Sequence, residues 1–155
     1  MPEFEKIVAS NRKATHDYHI LARYEAGIVL TGTEVKSMRD GQVQLKDGYA
    51  QVRDEQIWLF GIHIAPYRHG NIHNHPPERE RKLLMRRREI QKLMGETTRG
   101  GRTIIPLKVY FKGSLVKVEI GLAVGKKQHD KREAKRTREA EREKAAAISM
   151  RRQRG

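Results

Sequence analysis

The chain has no cysteine. Disulfides, thiolate zinc sites and cysteine nucleophiles are therefore excluded together. Long hydrophobic runs are also missing, and no stretch approaches the roughly 18 apolar residues of a membrane-spanning helix. The amino-terminal MPEFEK is charged and has no apolar run behind it, which is not a signal-peptide pattern. A cytoplasmic protein is expected. Aromatic residues make up only 6% of the chain and hydrophobic residues 37%. In 155 residues that supports one modest core in one domain. Positive charge, by contrast, is abundant. The chain has 33 Lys and Arg against 19 Asp and Glu, a net charge of +14. Such a surface favours a polyanion, with nucleic acid first and an anionic membrane second.

Half of that excess lies in residues 126–155, which hold 12 basic and 5 acidic residues, a net of +7. Residues 126–154 contain neither Gly nor Pro and are rich in Ala, Glu, Lys and Arg, all good helix formers. They carry too little apolar area to offset the cost of ordering. A tail that is disordered when free and helical against a polyanion is expected, the plainer alternative being a solubilising extension. The core is assigned to residues 1–125.

Within those residues, Tyr18, Ile20, Ala22 and Tyr24 alternate as in a half-buried strand starting near His16, and GIVL (Gly27 to Leu30) reads as a second short strand after a bend. Thr33 is a fair N-cap for a short helix ending at Gly41. Residues 48–67 read as a hairpin turning near Asp54 and Glu55, with Trp58, Phe60, Ile62 and Ile64 on one face. The spacing of Leu83, Ile90 and Met94 predicts a helix from Pro77 to Gly95. Val116, Val118, Ile120 and Leu122 alternate in a last hairpin that turns at Gly113 and Ser114. About six short antiparallel strands that must hide their edges favour closure. The expected fold is mostly β (α+β): an OB-like closed six-stranded antiparallel barrel with about three helices. No internal repeat is present.

Four runs together, NRKATHDY from Asn11, EAGIVLTGTEVKSMR from Glu25, RKLLMRRREI from Arg81 and GKKQHDKR from Gly125, resemble the SsrA-binding protein family, also called small protein B. The resemblance implies a barrel that binds the tRNA-like domain of transfer-messenger RNA and brings it to the A site of stalled ribosomes. It also implies contact with both ribosomal subunits and, through the alanyl-charged RNA, with elongation factor Tu. The family acts in ribosome rescue without making or breaking a bond, so no enzyme activity and no cofactor is expected, and a monomer off the membrane is. By motif, the RNA-contacting set comprises Asn11, Arg12 and Lys13 in NRKA, Glu25 in YEAG, Lys82 and Leu84 in RKLL, Lys117 in the last hairpin, and Gly125, Lys126, Lys127 and His129 in GKKQH. Asp130, Lys131, Arg132, Lys135, Arg136, Arg138, Arg142 and Lys144 fall to the tail, which the resemblance places in the vacant mRNA channel. The chain departs from the common pattern at Met85, Arg86 and Val124.

These assignments fit the chemistry of the side chains. Lysines and Asn11 suit phosphates or base edges, and His129 can stack on a base. Glu25 can accept from a base edge or a ribose hydroxyl. Leu84 is the odd member, because a leucine beside Leu83 on an amphipathic helix would be core. His69, His73 and His75 fall in one loop. With no Cys and no HExxH helix they read as exposed loop residues rather than a metal site. His16 and Asp17, on a strand, would point to opposite faces. Two other functions stay open: a general RNA-binding barrel with little preference among RNAs, and a metal-dependent nuclease built on the histidine loop.

Overall fold

The computed structural model describes residues 5–70 and 73–126. The chain order is β1 (Glu5–Ser10), α1 (Arg12–Asp17), β2 (Tyr18–Ile28), α2 (Gly32–Arg39), β3 (Val43–Gln44), β4 (Tyr49–Arg53), β5 (Gln56–Phe60), β6 (His63–Ile64), β7 (Arg81–Leu84), α3 (Arg87–Thr98), β8 (Arg102–Lys112) and β9 (Leu115–Gly125). Six of the strands pair in a ring, β8-β4-β5-β7-β2-β9, which closes through β8–β9, while β1 adds to β8 and β3 pairs with β6. The contacts around the ring are uneven. The β2–β9 and β8–β9 ladders run almost the full length of 11-residue strands, whereas β4 meets β8 in one registered pair, Ala50 with Ile104.

The interior is filled by Ile57, Leu59, Ile62, Leu83, Leu93, Ile104, Val118 and Ile120, with Met38 from α2. A smaller cluster of Ala14, Ile105, Leu107 and Ala123 lies under α1. Thus β8 is buried on both faces, which explains its unbroken IIPL run. Pro106 is tolerated there because the ladder to β9 shifts register between Pro106 and Lys108, and a bulge spares a ladder hydrogen bond. The last hairpin turns where expected, with Gly113 at φ 61°. The β4–β5 turn is also as expected. Asp54 and Glu55 both take positive φ, the pairing a tight hairpin turn of matching twist requires.

Several expectations need correction. The predicted helix from Pro77 to Gly95 is a strand followed by a helix. Arg81 and Leu83 alternate inward on β7, and α3 starts only at Arg87, with Glu89 Oε1 accepting from the Arg86 N–H at 3.3 Å. Gly95 does not end it, since α3 continues to Thr98, and Met94 is 45% exposed while Ile90 and Leu93 face the core. β2 is continuous through Gly27, with no bend before Ile28, because its ladder to β9 runs on to Lys117. The first helix occupies Arg12–Asp17, so the strand begins at Tyr18 rather than His16. The N-cap of α2 is Thr31, not Thr33. Thr31 Oγ1 accepts from the Glu34 N–H at 3.4 Å and the Thr31 N–H donates to Glu34 Oε1 at 2.8 Å, a reciprocal capping box. Trp58 and Phe60 do not share a face with Ile62 and Ile64. Ile57 and Leu59 point inward instead, and Gly61 at φ 75° resets the alternation.

One buried ionic cluster locks α2 to the start of β7 and the residues just before it. Arg81, fully buried, donates from Nε to Glu34 Oε2 at 2.5 Å, and its Nη atoms donate to the carbonyls of Arg79, at 3.1 Å, and Pro77, at 2.9 Å. Arg79 also pairs with Glu34. Burial pushes the Glu34 carboxyl up, but hydrogen bonds from Arg79, the Thr31 N–H and Arg81 outweigh it and hold the carboxyl below 4.5. His75 is likewise buried, contrary to the expected exposed loop histidine. Its Nε2 lies 2.9 Å from the Ile64 carbonyl and its Nδ1 2.8 Å from Thr33 Oγ1, which fastens the loop to α2 and β6.

Candidate nucleic-acid interface

Three of the expected contact residues come together. Glu25, Leu84 and Lys117 line one open hollow of about 570 Å³ with Gly27, Met85 and Arg86. The ladders explain the convergence. Gly27 of β2 pairs with Leu84 of β7 on one side and with Lys117 of β9 on the other. A Cβ at Gly27 would sit 3.3 Å from the Leu84 Cβ, so the missing side chain lets Leu84 lie close over the strand. Leu84 is 53% exposed. On a helix it would have been core beside Leu83. On a strand the two point to opposite faces, and Lys82 shares the outer face with Leu84.

Glu25 is held from both oxygens. The Tyr110 hydroxyl donates to Oε2 and Lys112 Nζ lies 3.5 Å from Oε1. The Tyr110 hydrogen bond, with Lys112 and Lys117 nearby, keeps the carboxyl below its ordinary value despite partial burial. Burial and the facing Glu25 push the Tyr110 phenol up, so it stays a donor. Glu119, next along β9, is clasped by Arg23 at 2.9 Å and Lys108 at 3.8 Å. Glu25 and Glu119 are thus neutralised from within, Glu89, which also lines the hollow, accepts from the Arg86 N–H, and Lys117 and Arg86 enter no ion pair among the described residues.

A second group lies at the other end of the same ribbon. Tyr18 pairs with Gly125 where Gly27 pairs with Lys117, nine residues along β2 and so roughly 30 Å away at about 3.3 Å per residue. Arg12 and Lys13 are exposed on α1. A hydrogen bond from His16, with Lys13 and Lys126 in range, depresses the Asp17 carboxyl. His16 and Asp17 therefore do not diverge as strand neighbours would; they end a helix and lie 2.9 Å apart. Asn11 is half-buried and its amide is engaged. Oδ1 accepts from the Ala14 N–H at 3.2 Å, and Nδ2 donates to the Pro106 carbonyl at 3.0 Å. It pins α1 to β8.

Lys127, His129, Asp130, Lys131, Arg132, Lys135, Arg136, Arg138, Arg142 and Lys144 lie outside the described residues. Among the described residues, no group of His, Asp and Glu is placed to hold a metal, and no helix is long and apolar enough to cross a membrane. The sequence reading missed Gly27, Tyr110 and Lys112. Gly27 carried a signal, standing beside Glu25 in the YEAG run. The Tyr110–Glu25 contact joins residues 85 apart, and no spacing rule reaches it.

Known proteins resemble this chain along most of its length. The family described as SmpB protein matches residues 8–150. An SsrA-binding protein from Carboxydothermus hydrogenoformans is 56% identical over 147 residues, covering 95% of this chain and 99% of that protein. One from Enterococcus faecalis is 54% identical over 144 residues, covering 92% and 94%. A chain in a solved structure, "tmRNA-SmpB: a journey to the center of the bacterial ribosome", aligns with a TM-score of 0.65 at 45% identity, over 81% of this chain and 85% of that one. With the match running from β1 into the basic tail, the chain belongs to the SmpB family of SsrA-binding proteins.

Proposed function

We propose that this chain binds the tRNA-like domain of transfer-messenger RNA and delivers that RNA to stalled ribosomes in trans-translation, so that the nascent peptide is tagged for degradation. The family match supports this. One observation carries it at the level of residues: the convergence of Glu25, Leu84 and Lys117 on one hollow. Lys117 offers a phosphate contact and Leu84 an apolar surface for a base or ribose. Glu25, kept ionised, accepts from a base edge or a 2′-hydroxyl. The chain works by binding and positioning rather than by bond chemistry, and it works in the cytoplasm, where the ribosomes are. The tail from Asp130 onward enters the vacant mRNA channel, and elongation factor Tu joins through the charged RNA.

The test is binding of the full chain to the tRNA-like domain at moderate salt against a large excess of ordinary tRNA. Selective binding that Leu84→Asp weakens supports the reading. Binding no better than to competitor tRNA favours instead a general RNA-binding protein, for which the +14 charge would suffice.

A further inference from the structure

The outer face of β4, β5 and β7 adjoins the hollow and carries a surface with no role in the core. Alternation turns Tyr49 and Arg53, Trp58 and Phe60, and Lys82 and Leu84 outward, while Ala50, Ile57, Leu59 and Leu83 fill the ring. The register sets Tyr49 opposite Phe60 and Trp58 opposite Lys82. The Tyr49 and Phe60 rings stack with centroids 5.3 Å apart and planes 19° from parallel. The Arg53 guanidinium lies 5.2 Å from the Trp58 ring centroid and 5.7 Å from that of Phe60. At strand spacings of about 4.8 Å, the strip is roughly 10 Å wide.

We propose that this strip is a stacking platform for about two or three unpaired RNA bases, extending the interface of the hollow onto β4 and β5. The proposal rests on the reading of the chain as an RNA-binding protein. Three observations favour RNA as the occupant. Flat rings alternate with cations, the combination that holds single-stranded nucleic acid irrespective of sequence. Of the carboxylates that border the strip, Glu80 is bound to Arg53 at 2.8 Å and Glu55, in the β4–β5 turn, pairs with Arg87 at 3.5 Å, which leaves the rings themselves without a facing carboxylate. Leu84 belongs both to the strip and to the hollow, which makes the two surfaces continuous. Gln51, opposite Trp58, and Gln56, opposite Arg53, are also outward and can meet base edges.

Trp58 is the only tryptophan, so its emission reports on the strip alone. The full chain is titrated with a labelled single-stranded oligoribonucleotide of about ten nucleotides, a length within the usual site size. Tryptophan emission and RNA anisotropy are read together. The expected result is saturable quenching that tracks binding. Trp58→Leu, apolar but unable to stack, should bind about ten-fold more weakly at an unchanged melting temperature, and Trp58→Tyr should bind nearly as the parent does. RNA binding without quenching, at equal affinity in Trp58→Leu, would overturn the strip yet leave the hollow standing if Leu84→Asp still weakened binding. Emission that changes with protein concentration and not with RNA would assign the face to a second copy of the chain, and so overturn it too. No binding of the oligoribonucleotide by a chain that still binds the tRNA-like domain would overturn the strip alone, and failure to bind either RNA would remove both readings.

Discussion

Within the four residues RKLL of β7, a leucine stands 53% exposed and an arginine is wholly buried. Each inversion has its own cause and its own test. Leu84 lies over Gly27 and outside the buried core. Leu84→Asp should therefore shift stability by no more than about 0.5 kcal/mol while weakening RNA binding about ten-fold or more, since it sets a carboxylate before phosphates. Thermal melting and anisotropy separate the two effects. Arg81 is the reverse case. Arg81→Met leaves the buried Glu34 with Arg79 as its remaining cationic partner, and losing one charged donor to a buried carboxylate in this way costs about 1–3 kcal/mol. The double variant Glu34→Leu with Arg81→Met should recover much of that in urea denaturation. The same carboxylate makes the fold acid-sensitive. Its folded pKa lies below the 4.5 of the unfolded chain, so the unfolded state binds more protons between those values. The stabilisation is complete above pH 4.5 and is lost as the pH falls through the folded value. Urea midpoints measured from about pH 7 down to about pH 3 should drop less in Glu34→Gln than in the parent.

At the scale of elements, legibility followed the length of each pattern. The β8–β9 hairpin declared itself through sustained alternation and a Gly-Ser turn. β7 has four residues, too few to show a period of two. Its inward arginine also counted as polar, so Leu83 was drawn into the helical spacing of Ile90 and Met94. β1 and α1 were missed for a related reason. β1 lies mostly exposed along the β8 edge, and α1 buries only Ala14, so neither shows an amphipathic pattern. Of the site, the family motifs made Glu25, Leu84 and Lys117 legible, but not Tyr110, whose contact exists only once β8 and β9 pair. One element acts beyond the ring. If the tail senses the vacant mRNA channel, removing residues 133–155 should leave RNA affinity within about two-fold, because the contacts of the ring remain, and should abolish peptide tagging on stalled ribosomes. Undiminished tagging in a reconstituted reaction would sink that reading.

For the whole molecule, the net charge of +14 means that affinity must be measured as a function of salt. The logarithm of the binding constant should fall linearly with that of the salt concentration, and Lys117→Ala should reduce the slope by about 1, one phosphate contact's worth. The long β2–β9 ladder adds a constraint of another kind. It sets Glu25 and Lys117 at one end and Tyr18 and Gly125 at the other, on two strands too well paired to stretch. If both ends touch one RNA, the protein works as a caliper with jaws roughly 30 Å apart. Inserting a few base pairs between the two touched points would then leave every individual contact chemically intact and still release one jaw. Such an RNA should be refused for its size, before any of its bases is read.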